Sequence, residues 1–438
     1  MQAMKDSGIP WIGEIPDNWC VGKCKTILAA NDSGVWGNDP LGDDLDKVVI
    51  RSTEQTIDGG WCIETPAKRD LRDIDYRGSR ICKGDLLITK SSGSDLHIGK
   101  TTIADDYFIE NECYFSNFIQ RIRCNEKYRP RLLWYLFNSI IIREQCVYLQ
   151  NSTSGIGNIN ASIINNLYLP IPPIEEQTSI IRFLDAECAR INTVMEQTRA
   201  SIEEYKKLKQ SIITEAVTKG IRPNRPMKDS GIDWIGQIPA EWDCTTVNRI
   251  ATVVRGASPR PAGDPRYFNG NDVPWITVAE VTNGGGKYIF TTETYLTAEG
   301  ASYSRIVEEG TLLLSNSGAT LGVPKITKIR GCINDGSLAF YNLQINQDYL
   351  LYVFSGRTME LRKQMQGYGQ PNLNTTIVKG LWLPLPAIEE QVEIVNFLDT
   401  RIAEIESLIS KKEQFLSEME SYKKSLIFEY VTGKKEVS

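Results

Sequence analysis

LYLPIPPIEEQTSIIRFLD, residues 167–185, returns at 381–399 as LWLPLPAIEEQVEIVNFLD, with 12 of 19 positions identical. Each copy holds a stop and a start. Pro170, Pro172 and Pro173 in the first, and Pro384 and Pro386 in the second, end a strand-like run and cannot enter a helix interior. Directly afterwards come Glu175, Glu176 and Gln177, or Glu389, Glu390 and Gln391. Acids in a first turn suit the positive end of a helix dipole. A second phrase also occurs twice, MKDSGIPWIGEIPDNW at 4–19 and MKDSGIDWIGQIPAEW at 227–242, with 12 of 16 positions identical. Repetition of this kind fixes architecture before residue-level detail does. The halves share little between these blocks, so the chain reads as one scaffold used twice with different contents.

The stretch after each EEQ is strongly helical. In 186–219 the apolar residues Ile191, Val194, Met195, Ile202, Tyr205, Leu208 and Ile212 step by threes and fours. In 400–432 the set is Ile405, Leu408, Ile409, Leu416, Met419, Tyr422 and Leu426. Neither stretch contains Pro or Gly before Gly220 and Gly433, which stand where a C-cap glycine belongs. A helix of this span reaches about 50 Å, more than the width of a domain of ~150 residues. Two such stripes in one chain can bury each other, and antiparallel pairing is the expectation. Packing of each stripe on its own globule is the plainer alternative. The predicted interhelix set is Ile191, Met195, Ile202, Tyr205, Leu208 and Ile212 against Ile405, Ile409, Leu416, Met419, Tyr422 and Leu426.

The regions between are rich in short runs such as DKVVIRST, GDLLITK, VPWITVAEV and GTLLLSN, broken by Gly, Asp and Asn. These are strand and turn signals. Apolar helical stretches come after them, near PRLLWYLFNSIIIREQ and DYLLYVFSGRTMELRKQM. The fold class expected is mixed α+β, with globules at 1–172 and 221–386 and spacer helices at 173–220 and 387–438.

Composition is that of a folded chain: 438 residues, 41% hydrophobic and 24% charged. The net charge of −6 argues against a uniformly basic coat but not against local basic faces. No leader or membrane-length apolar run stands out, so a cytoplasmic location is expected. The ten cysteines include no CxxC pair, Cys20 and Cys24 being nearest, and His97 is the one histidine. A zinc site would lack its usual partners, and reduced thiols are expected.

The opening MKDSGIxWIGxIPxxW, the block LPxPxIEEQxxIxxFLD and the order variable region, spacer, variable region, spacer resemble the specificity subunits of Type I restriction–modification systems. The resemblance spans the whole chain. It implies two target recognition domains joined by two long antiparallel helices in a coiled coil, pseudo-two-fold from a tandem repeat. Each domain would read one half of an asymmetric, interrupted sequence in double-stranded DNA. The helices would set the spacing and dock two modification subunits. No cofactor is expected in this chain: S-adenosylmethionine would sit on the adenine-methylating partners, and ATP and Mg on a restriction and translocase subunit. Trp11 and Trp234, in the repeated opening phrase, are candidate docking residues.

Motifs for catalysis do not accompany this pattern. There is no GxxxxGK[ST] phosphate loop. Gly284, Gly285 and Gly286 precede Lys287 without a strand-to-helix setting and read as a hairpin tip. No NPPY- or DPPY-type motif for holding a flipped base occurs. A nucleophile pair of His97 with a cysteine, or a protein-bridging scaffold, are the competing readings.

For DNA contact, ITKSSGSDLHIGKTTI (88–103) offers Lys90, Ser91, Ser92, Ser94, His97 and Lys100 on a Gly-punctuated loop. LLSNSGATLGVPKI (313–326) offers Ser315, Asn316, Ser317, Thr320 and Lys325. Hydroxyls, amides and exposed N–H groups can approach phosphates, and Lys adds charge. A second pair of phrases, QNSTSGIGNIN (150–160) and QGYGQPNLN (366–374), matches Asn158 and Asn160 with Asn372 and Asn374, with Gln370 beside them. Asn and Gln can grip adenine edges. Asparagines repeated in both halves also suit a shared structural role, since readers should differ. Lys68, Arg69, Arg72, Arg77 and Arg80, and Arg255, Arg260 and Arg266, are the candidate phosphate contacts.

Overall fold

The computed structural model describes residues 3–437 apart from 74–75, 91–96, 152–158, 319 and 365–372. Two compact units emerge: Met1–Thr198 with Gln414–Ser438, and Arg199–Glu413. The division cuts across the four segments read from the sequence, because each unit combines one globule with part of both long helices. Those helices run Ile174–Lys219 and Ile388–Val431. They start directly after the prolines, with the EEQ glutamates in the first turn.

The N-terminal unit is built on a four-stranded antiparallel sheet in the order Leu28–Ser33, Ile119–Cys124, Leu86–Thr89, Thr101–Ile103. A smaller sheet sets Ala67–Arg69 and Tyr114–Phe115 on either side of Lys47–Ile50. The C-terminal unit repeats the main sheet as Thr252–Arg255, Ser337–Tyr341, Leu312–Ser315, Pro324–Thr327, with Tyr288–Ile289 added in parallel at the edge. Its second sheet has four strands around Phe268–Ile276 and Gly331–Ile333. Beta-branched and leucine-rich runs form these strands. The central ones, Leu86–Thr89 and Leu312–Ser315, are buried along their whole length.

The repeated phrases account for the likeness. The opening phrase folds into a hairpin, Met4–Asp6 against Glu14–Pro16 in one copy and Met227–Asp229 against Gln237–Pro239 in the other. The Leu/Pro run becomes a strand on the segment just after that hairpin, Tyr168–Ile171 with Cys20–Lys23 and Trp382–Leu385 with Asp243–Thr246. The hairpin's last tryptophan, Trp19 or Trp242, is at most 2% exposed. Its indole N–H donates to the second glutamate of EEQ: Trp19 to Glu176 at 2.7 Å, Trp242 to Glu390 at 2.9 Å.

The glutamine of EEQ is buried and serves as a bracket. Gln177 Oε1 accepts the Arg129 N–H at 2.8 Å, and its Nε2 donates to Pro172 O at 2.9 Å and Lys127 O at 3.0 Å. Gln391 accepts from Asn346 N at 2.8 Å and donates to Pro386 O at 2.9 Å. The proline carbonyls and the helix start are thereby tied to the globule's own helices. Asp185 and Asp399, ending the repeated block, accept from Tyr135 and Tyr352.

Inside each unit the long helices run antiparallel. In the N-terminal unit Phe183 meets Tyr430, ring centroids 4.3 Å apart, and Lys423 donates to Asn192 at 2.8 Å. In the C-terminal unit Lys209 pairs with Glu406, and Lys412 lies over the Tyr205 ring. Ile191, Met195, Ile202, Ile405 and Leu426 are buried, while Tyr205, Ile212, Ile409, Leu416 and Met419 are half-buried. Leu208 and Tyr422 depart from the expected seam, at 47% and 51% exposed. A 3.6-residue helix drifts ~20° per heptad against a 3.5 repeat, so a stripe traced in sevens leaves the buried face. Burial passes instead to Ile213, Ala216 and Val217 and to Ile394, Leu398 and Ile402, which join the core of the C-terminal globule. Both expectations therefore hold in part: the helices pair, and they also pack on the globules.

Gly220 and Gly433 close the helices with φ near +70° (72° and 71°). A Cβ there would also meet Arg225 Nη2 at 1.7 Å or Pro16 Cδ at 2.5 Å.

Gln177→Ala should strand the part-buried Arg129 N–H and the buried Pro172 carbonyl, at about 1–3 kcal/mol for a fully buried group and less for the other. Urea unfolding should show a lower midpoint for the N-terminal unit. An unchanged midpoint would show that the bracket holds nothing.

Candidate nucleic-acid interface

In each unit the two polar phrases singled out in the sequence converge on one end of the main sheet. In the N-terminal unit Lys90 leaves its strand with its N–H on Phe118 O and its carbonyl accepting Ile159 N–H, both 2.9 Å. In the C-terminal unit Asn316 does the same, to Gly336 O at 2.9 Å and from Leu373 N at 2.7 Å. The loops return alike, Gly99 N to Thr89 O at 2.9 Å and Gly322 N to Ser315 O at 2.8 Å. Beside them Gly34 and Gly256 pass so close to the neighbouring strand that a Cβ would meet Phe115 O at 2.0 Å or Asn334 O at 2.1 Å. The two backbone frames are the same to this level of detail.

Asn160 and Asn374 take the shared structural role. Each caps a short helix, Ala161–Asn166 or Thr375–Lys379, by accepting from the N–H of Ile163 at 3.0 Å or Ile377 at 2.9 Å. Asn158, Gln370 and Asn372 lie outside the described residues, as do Ser91, Ser92 and Ser94.

Several loop candidates prove to be interior. Lys100 is 9% exposed and donates to Ser52 O and Gln55 O at 2.9 and 2.8 Å. Lys325 is 4% exposed and donates to Gly285 O at 3.1 Å. Burial lowers the pKa of both from the ordinary lysine value. Backbone carbonyls of neighbouring loops take up both ammonium groups, so they brace loops instead of offering a free cation. Ser315 is fully buried, donating to Thr320 O and accepting from Val323 N. Ser317 and His97 are half-buried and Thr320 is exposed.

The basic candidates lie nearer the surface but arrive paired. Arg69 stacks on Trp36 and bonds Asp39 at 2.7 Å. Arg72 bonds Asp70 at 2.7 Å and Asp43 at 2.9 Å, which raises its pKa and lowers those of both carboxyls. Arg80 bonds Glu112, and Arg266 forks onto Asp264. Arg260 reaches the Asp335 carboxylate at 3.3 Å, and Arg255 Nε donates to the Asp335 carbonyl at 2.8 Å. Lys68 is exposed. Arg77 begins a short 3-10 turn, and its side chain lies outside the described residues. Exposed ion pairs are weak in water, so a phosphate can displace the acid.

No sequence motif marks Phe118, 56% exposed on the turn that holds Lys90, or Asp335, which gathers Ser258, Arg255 and Arg260. Aligning the two halves on the strand before each turn brings both out. Trp11 and Trp234 are half-buried within their units, Trp11 against Tyr148 and Trp234 under Arg357.

Among the described residues no His/Cys/Asp/Glu group is arranged to hold a metal, and no helix is long and apolar enough to cross a membrane. Burial pushes the thiols of Cys113, Cys124 and Cys146 up to about 12, opposite to the shift that activates a cysteine nucleophile.

Replacing Asn160 and Asn374 by Ala should cost about 1 kcal/mol each in thermal unfolding, the usual loss for an N-cap. It should leave the bases discriminated unchanged. A change of DNA preference would move these residues from framework to reader.

The family model for the Type I restriction modification DNA specificity domain matches residues 67–204 and 239–415. The chain is 25% identical over 352 residues to the Type I restriction enzyme MjaVIII specificity subunit of Methanocaldococcus jannaschii, covering 76% of each. It is 22% identical to the StySPI specificity subunit of Salmonella potsdam, over 96% of this chain and 90% of that one. A chain from a structure of complex assembly and conformational transition of the type I R-M system superposes with a TM-score of 0.74 at 19% identity, covering 96% and 99%. The HsdS subunit of Thermoanaerobacter tengcongensis gives 0.52 at 19% identity, covering 96% and 98%. With two matched regions over most of its length, this chain belongs to the family of Type I restriction–modification DNA specificity subunits.

Proposed function

We propose that the chain is the DNA-recognition subunit of a Type I restriction–modification complex, each unit reading one half of an asymmetric, interrupted duplex target. The observation that carries this reading is the pair of matching backbone hydrogen-bond frames bearing different side chains at one sheet end. A reader of two unlike half-sites needs that combination. The paired helices set the gap between half-sites and offer faces to two modification subunits, with the Trp11 and Trp234 hairpins beside the docking surface. The chain makes and breaks no covalent bond. Adenine methylation, with S-adenosylmethionine, belongs to the modification partners, and ATP and Mg to a restriction subunit.

Phosphate attraction comes from exposed cations such as Lys68 and Arg80. Their double substitution by Ala, in complex with the modification partner, should weaken all DNA sequences alike. It should flatten the log affinity against log salt line by about 0.9 for each phosphate no longer neutralised. An unchanged slope would remove them from the interface. The ruler can be tested separately. Seven residues inserted at the same level of both helices add about 10 Å, some three base pairs, to the preferred gap, with the half-sites kept. A gap that stays put would end the ruler reading.

A further inference from the structure

We infer that half-site specificity resides in the side chains of the sheet-end turn and the strand ends it holds: Phe118 and Lys90 in the N-terminal unit, and Asp335 with Arg255 and Arg260 in the C-terminal unit. The inference rests on the DNA-reading proposal and says which residues discriminate bases.

Matched positions in the two units lead to this assignment. Turn residues 117–118 and 335–336 occupy the same place, between the short strand Tyr114–Phe115 or Gly331–Ile333 and the sheet strand that comes next. Each turn receives the N–H of the residue leaving the central strand, Lys90 or Asn316. With the backbone bonds held equal, the side chains differ in chemistry at each matched position. Phe118 stands where the other unit has the buried Gly336, and it is a large ring left 56% exposed on a polar loop surface. Beside it Lys90 Nζ donates to Ser33 Oγ at 2.7 Å. Apolar contact with a thymine methyl is a direct use for such a ring in the major groove.

The C-terminal unit has no ring there and builds an anchor. The Asp335 carboxylate accepts from Ser258 Oγ at 2.6 Å and from Arg260 at 3.3 Å, and its carbonyl accepts from Arg255 Nε at 2.8 Å and Asn316 Nδ2 at 3.2 Å. Two exposed guanidinium groups are thus tethered to one turn residue, with the Arg260 side chain 70% exposed. Asn316 is fully buried, and its Oδ1 has no partner among the described residues. A tethered arginine fork loses less freedom when it grips the O6 and N7 edge of guanine. Asp335 acts here as a positioning residue, and Phe118, Arg255 and Arg260 as specificity residues.

The test is the methylated motif written by the complex with its modification partner, read by sequencing of the modified DNA. Phe118→Ala should relax the first half-site by tenfold or more at one base pair and leave the second half-site intact. Phe118→Leu, still apolar, should keep the preference. The double substitution Arg255→Gln and Arg260→Gln should relax the second half-site alone, and Asp335→Asn should do so more weakly. Variants that lose affinity evenly while writing the same motif would make these residues phosphate contacts and overturn the inference, with the DNA-reading proposal intact. A wild-type complex that writes no interrupted motif would instead overturn that proposal.

Discussion

The contact on which the rest depends is the buried meeting of each long helix with its own globule at the EEQ turn. A tryptophan indole donates to one glutamate, and a glutamine side chain binds backbone groups of the proline turn and of the globule. These groups are buried or half-buried, and for the buried ones an unmade bond costs far more than a made one contributes. The helix therefore cannot swivel on its globule without stranding several polar atoms at once. Direction and depth of the helix are fixed at its first turn, and everything beyond grows from that origin. The phrase at this joint is one of the two that the chain repeats almost intact.

Sequence between the joints is free to change as long as the frame is kept. Close backbone approaches at Gly34 and Gly256, and matched bonds from Lys90 and Asn316, hold the end of the main sheet in the same arrangement. Side chains hanging from that frame have diverged to a ring and a lysine on one side and to arginines gathered by an acid on the other. A chain with net charge −6 can still present cationic ends, because its exposed arginines are held by acids that a phosphate or a base edge can replace.

Much of this is legible in the residues. The duplication, the strand-stop and helix-start phrase, the glycine caps and the helical stripes come from local rules that the fold obeys. Asn160 and Asn374 suit a framework role because they occur in both halves. Other features need the third dimension. Lys100 and Lys325 sit in Gly-punctuated polar phrases that look exposed, yet both are buried against loop carbonyls contributed by distant parts of the chain. Leu208 and Tyr422 fit a seven-residue count that the buried face of the helices does not keep. Phe118 and Asp335 carry no motif. Their meaning comes from lying on the matched turns 117–118 and 335–336 of two sheets, which no spacing within either half reveals.

A single frame with interchangeable readers is open to one direct measurement. The matched bonds Cys24 N to Leu167 O and Val247 N to Leu381 O mark equivalent borders. Residues 24–166 can therefore be replaced by 247–380, so that both positions carry the second reader. Sequencing the DNA methylated by this chimera with its modification partner should return an interrupted palindrome made of the second half-site and its complement. A chimera that still writes the asymmetric motif, or one that cannot fold and assemble across those borders, would contradict the account.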